Sequence, residues 1–71
     1  MITKTIEKNH IIVTCDRSKK ELGEATHEIT KLLRKFVIGN RVYVDIALED
    51  KKSKKLIMIS GEMYITEEID L

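Results

Sequence analysis

Cys15, His10 and His27 are the side chains of this sequence best suited to chemistry. A thiol attacks only as its thiolate, so it needs a neighbouring base or cation that lowers its pKa. The residues flanking Cys15, Thr14 and Asp16, supply neither. His10 lies five residues before Cys15 in a largely β-branched run, which puts the two on opposite faces of a strand. Cys15 therefore reads as a small buried apolar residue, and His10 as a surface residue where a strand begins. His27 has Glu24 three residues before it and Lys31 four after it, the surroundings of an ordinary imidazole on a helix surface. One cysteine and two histidines at these positions match no zinc-ligand spacing. Asp45, Glu49 and Asp50 are not spaced as a calcium loop, and glycines at 23, 39 and 61 build no phosphate cradle. The expectation is a protein that is not an enzyme, with no catalytic residue, no metal and no cofactor.

Two clusters suit binding instead. Lys51, Lys52, Lys54 and Lys55 crowd a polar connector between two apolar segments. At a hairpin tip they could neutralise phosphates, or serve as a solvated turn that discourages aggregation of a strand end. Bases stack on aromatic rings, and the chain offers only Phe36, Tyr43 and Tyr64. Tyr43 shares its parity with Asp45 and Glu49, and an exposed tyrosine is a frequent interface anchor. Tyr43, Asp45, Glu49 and Tyr64 are the candidate partner-binding residues, with Glu67, Glu68 and Asp70 of the acidic tail as a further surface for a basic partner.

The elements that must position these residues follow from periodicity. Val42, Val44, Ile46 and Leu48 alternate with Tyr43, Asp45, Ala47 and Glu49, which predicts a strand over 41–49 with one face buried and one wet. Leu22, Ala25, Ile29, Leu32, Leu33 and Phe36 recur at three- and four-residue steps, which predicts a helix over 19–37. Ser18 and Glu21 have the spacing of a capping box, and Gly39 with Asn40 suits the helix end. Residues 10–15 read as a strand. Residues 2–6 either pair with it as a hairpin or extend it, because no Asn-Gly or Asp-Gly turn separates them.

Leu56, Ile57, Met58 and Ile59 are apolar on both parities, the pattern of a strand covered on both faces. Ser60-Gly61 marks a bulge or bend there, with a possible short fifth strand beyond. The fold class expected is α+β: a small antiparallel sheet with one amphipathic helix packed on it, in the order β(β)αββ, within a single domain spanning 1–71. One helix leaves the segment 56–59 without its second cover, so these four residues are the candidate self-association surface.

Length and charge agree with that expectation. A 71-residue chain buries a thin core, and small scaffolds often lean on disulfides, metals or self-association. The lone cysteine rules out an internal disulfide and fits a reducing compartment. Thirteen Lys and Arg against 12 Asp and Glu leave a net charge of +1, too little for a molecule-wide field toward nucleic acid or anionic lipid. The N-terminus has no uninterrupted apolar run of the kind a leader carries, and no run is long enough to span a membrane. The expected location is cytoplasmic.

The helix leading into Gly39-Asn40-Arg41-Val42-Tyr43-Val44-Asp45-Ile46, followed by a second apolar strand, resembles in pattern the opening of the Sm-like fold. The resemblance covers about residues 22–60 and implies a ring-forming RNA-binding barrel. This chain departs from it by a strand before the helix and by too few residues after it for five strands, so no RNA-binding residue is carried over. The functional expectation is a small accessory or regulatory protein, of the kind phages and plasmids use as inhibitors or adaptors, that binds itself and another protein. The alternative is a nucleic-acid-binding protein using Lys51, Lys52, Lys54 and Lys55.

Overall fold

The structure is a computed structural model that describes residues 2–67. Its elements run β1 (Thr3–Glu7), β2 (His10–Asp16), α1 (Lys19–Leu33), β3 (Arg41–Asp50) and β4 (Lys55–Tyr64). The strands form one sheet in the order β1-β2-β3-β4. This is the expected small α+β fold. The sheet, however, is mixed: β1–β2 and β3–β4 are antiparallel, but β2 and β3 run parallel. The helix between them is the reason, because a crossover returns the chain to the edge of the sheet where β2 began. The open four-stranded sheet also differs from the barrel of the Sm-like pattern.

Residues 2–6 do form a hairpin with β2, from Thr3 opposite Thr14 to Glu7 opposite His10. Lys8, rather than a glycine, takes the left-handed backbone position of the turn, with φ 52°. The last hairpin uses Lys54 in the same way, with φ 61°. The β3–β4 ladder runs unbroken from Arg41–Tyr64 to Asp50–Lys55, so Ser60-Gly61 introduces no bulge and the fifth strand is the end of β4.

The helix begins where its cap requires. The Glu21 backbone N–H donates to Ser18 Oγ at 3.2 Å. The capping box is not reciprocal: the Ser18 N–H donates to Asp16 Oδ1, and Glu21 Oε1 accepts from the Asp16 N–H. The helix ends at Leu33, four residues before its expected limit. There the Lys35 and Phe36 N–H groups fall back three residues, to the Leu32 and Leu33 carbonyls. The Val37 N–H leaves the helical ladder for Asn40 Oδ1 at 3.0 Å.

Ile11, Val13, Cys15, Val42 and Val44 from the sheet meet Ala25, Ile29 and Leu32 from the helix to make the core. Phe36 and Ile65 pack against it. Backbone bonds between Gly39 and Ile65, and between Ile65 and Asn40, tie the segment after β4 to the segment after the helix. The helix packs chiefly on β2. The core therefore sits over β2 and the first half of β3, while Ile46 and Leu48 further along are only half-buried and the whole of β4 is exposed.

Candidate self-association and partner-binding site

Antiparallel register fixes which β4 side chains point where. Ile57, Ile59 and Met63 oppose Leu48, Ile46 and Val42, so they lie on the helix side of the sheet. Leu56, Met58, Ser60, Glu62 and Tyr64 lie on the open side, with Glu49, Ala47, Asp45, Tyr43 and Arg41. The helix does not reach across to β4, so Ile57 and Ile59 remain 46% and 50% exposed, and Leu56 and Met58 57% and 55%. Burying one such side chain fully is worth about 1.5–3 kcal/mol. Among the described residues no strand neighbours the outer edge of β4. A ten-residue edge with apolar side chains on both faces is a template for another strand.

The sequence-derived partner-binding residues also share one surface. Tyr43, Asp45, Glu49 and Tyr64 all belong to the open face of β3 and β4. The Arg41 guanidinium stands over the Tyr64 ring, 5.4 Å from its centroid, and its Nε lies 4.0 Å from Glu62 Oε2. Asp45 Oδ2 is 2.6 Å from His10 Nε2, and the His10 ring meets Tyr43 edge-on. Hydrogen bonds from Ser60 and then His10 hold the Asp45 carboxyl below the usual carboxylate range. Around these groups lies a shallow cleft of ≈ 460 Å³, which Gly61 also lines. His10 is the residue that sequence reasoning missed. Its link to Asp45 runs diagonally across the parallel β2–β3 pair, where His10 opposes Tyr43 and Ile12 opposes Asp45. No spacing within one segment announces that pairing.

The His10, Asp45 and Ser60 side chains do not make a nucleophilic site. Both Ser60 and His10 bond to the same carboxylate, whereas activation of a hydroxyl requires the imidazole to accept its proton. Cys15 is 1% exposed on the helix side, and burial pushes its thiol further up. His27 is exposed on the helix surface and lines a second cleft with Ile2, Lys4, Gly23 and Glu28. Lys4 Nζ bonds Glu28 there, which holds the Glu28 carboxyl down. Among the described residues no group of His, Cys, Asp and Glu could hold a metal ion.

The lysine cluster sits at the β3–β4 turn as expected, but acids surround it. The Lys52 N–H donates to Asp50 Oδ1 at 3.0 Å, and Arg17 lies 3.8 Å from Asp50 Oδ2. Asp16 and Glu49 line the same depression as Lys51 and Lys52. Of the tail acids, Glu67 is exposed; Glu68 and Asp70 lie outside the described residues. No helix among the described residues is long and apolar enough to cross a membrane. No protein-family model, curated protein or solved structure matches this chain.

Proposed function

We propose that this chain is a non-enzymatic accessory or regulatory protein that acts by binding macromolecules and works as a homo-oligomer. One observation carries the reading: β4 is exposed along its whole length, with Leu56, Ile57, Met58 and Ile59 apolar on both faces. Six of the 11 large hydrophobic residues exposed among the described residues belong to this one strand. Scattered surface hydrophobes need no explanation, but a contiguous set marks an interaction site. Self-association covers it, and leaves the aromatic and acidic open face at Tyr43, Asp45, Glu49 and Tyr64 for a second protein with a basic surface. His10 and Arg41 hold two of these side chains in place, which reduces the ordering cost of binding.

Sedimentation or light scattering of the purified chain at micromolar concentration tests the first half. The expected result is a mass of at least twice 8.2 kDa. A monomer at that concentration overturns the reading.

A further inference from the structure

We infer that two copies join through β4, antiparallel, about a two-fold axis at Ile59 that stands perpendicular to the sheet. The inference rests on the self-association reading and specifies its geometry.

The chain carries surface that a compact fold would hide. A compact chain of 8.2 kDa exposes roughly 4,500 Å² by size scaling, whereas this one exposes 5608 Å². The exposed apolar side chains of β4 contribute to that excess. The Cα radius of gyration agrees: 13.3 Å against about 11 Å for a compact chain of this length.

Charge chooses the direction. β4 begins at Lys55, just after Lys54, and carries its one acid, Glu62, near the other end. Parallel pairing sets lysine beside lysine. Antiparallel pairing sets the basic end of one copy against the acidic end of the other, and a perpendicular two-fold keeps open face with open face. Centred on Ile59, the register places Lys54 opposite Tyr64 of the second copy and diagonal to its Glu62, within reach of a lysine. The same register sets Ile57 against Gly61, where no atom lies within 4 Å of the position a side chain would occupy. The glycine thus leaves room for the isoleucine, and Ile59 meets its own copy.

The result is an eight-stranded sheet with both helices on one face. On the opposite face the Tyr43–Asp45 surfaces of the two copies lie on one continuous sheet, separated by the paired β4 strands, which suits a partner that is itself two-fold or carries two basic segments.

Single-cysteine substitutions test the register, with buried Cys15 left in place as the unreactive internal control. Ile59→Cys should give a covalent dimer on mild oxidation, since residues opposite one another across an antiparallel pair have Cα atoms about 4.5–5.5 Å apart. Leu56→Cys and Glu62→Cys should each fail alone and cross-link when mixed. Far-UV circular dichroism confirms the fold of each variant. In the unmodified protein, alternate β4 amides should exchange about 100-fold more slowly above the dissociation constant than below it. A dimer in which Ile59→Cys, Met58→Cys and Ser60→Cys all stay uncross-linked, with β4 amides unprotected, overturns the edge pairing but leaves self-association standing. A monomer at every concentration overturns both.

Discussion

β1 and β4 are the two edges of one sheet, and they present opposite surfaces to a passing strand. β1 is five residues long and reads Thr-Lys-Thr-Ile-Glu; β4 is ten long, with no charge between Lys55 and Glu62. On β1, Lys4 pairs with Val13 in register, so it points to the helix side, where Glu28 takes its ammonium. A short strand with an inward-pointing charge is how an edge resists pairing. The same sheet therefore closes one edge and leaves the other open. The difference argues that the open edge is an interface, because a device that blocks pairing is present in the fold and is withheld from β4.

The largest expected effect comes from giving β4 the device that β1 already has. Ile57→Lys combined with Ile59→Lys should weaken self-association by at least about 100-fold, because the apolar contacts across the strand pair are lost and the lysine at 59 is set directly against its own copy. Sedimentation should show a monomer at micromolar concentration. The fold should survive, since both side chains are about half exposed in the single chain. A variant that stays associated places the interface elsewhere.

Two isoleucines sharpen the contrast further. Ile11, at the centre of the sheet, is fully buried, whereas Ile59 is half exposed. Ile11→Ala should cost about 2–5 kcal/mol of folding stability, from lost transfer energy and the cavity left behind. Ile59→Ala, measured below the dissociation concentration, should cost under about 1 kcal/mol. Urea denaturation of both variants, run at low and high protein concentration, separates packing within the chain from packing between chains. If Ile59→Ala is costly in the dilute monomer, β4 is supported within one copy.

Acid pH tests the polar side of the comparison. Glu28 beside β1 and Asp45 beside β4 both have depressed pKa values, as do Asp16, Glu21 and Asp50. A carboxylate held more acidic in the folded state stabilises it fully above the unfolded pKa, about 4. That stabilisation is lost as pH falls through the lower folded values. The melting temperature should therefore hold between about pH 5 and 7 and decline below about pH 4. Asp45→Asn and Glu28→Gln should each flatten the acid decline, with Glu28→Gln leaving the assembly's mass unchanged. A decline that begins near pH 6 contradicts this account.

The parts legible in the sequence were those with a local period. The alternation from Val42 to Leu48 and the helical stripe from Leu22 to Leu32 each describe a face; the structure buries Val42, Val44, Ala25, Ile29 and Leu32, but leaves Ile46 and Leu48 half-buried and Leu22 exposed, and it buries Ala47, which the alternation assigns to the wet face. Pairing was not local. A parallel β2–β3 ladder requires the crossover to be placed first, and only then do His10 and Asp45 become neighbours. The Glu7–His10 turn was ambiguous because its left-handed residue is Lys8, a type that does not advertise a turn. The helix fell short of 37 because Asn40 offers its side chain to the Val37 N–H, a competition that hydrophobic spacing does not register. The uncovered strand, by contrast, was visible from composition alone: Leu56 to Ile59 has no polar face to turn toward water.

The smallest expected effect concerns the lysines at the tip of β4. In the depression around the turn, Arg17, Lys51 and Lys52 face Asp16, Glu49 and Asp50, so three positive charges meet three negative ones. Lys54 and Lys55 extend beyond it, with Lys54 in the left-handed backbone position that closes the hairpin. Counterion release scales with phosphates neutralised, and lysines already balanced by carboxylates neutralise few. The protein should elute from a heparin column below about 0.2 M salt, and Lys52→Glu with Lys54→Glu should barely shift that position. Retention to higher salt that the double substitution abolishes would favour the nucleic-acid reading over the protein-binding one. It would also give the basic end of β4 a use besides facing Glu62 of a second copy. Self-association of the same variant then decides between the two uses: reversing Lys54 sets two acids against each other across the axis, so the edge-paired dimer weakens even where heparin binding does not change.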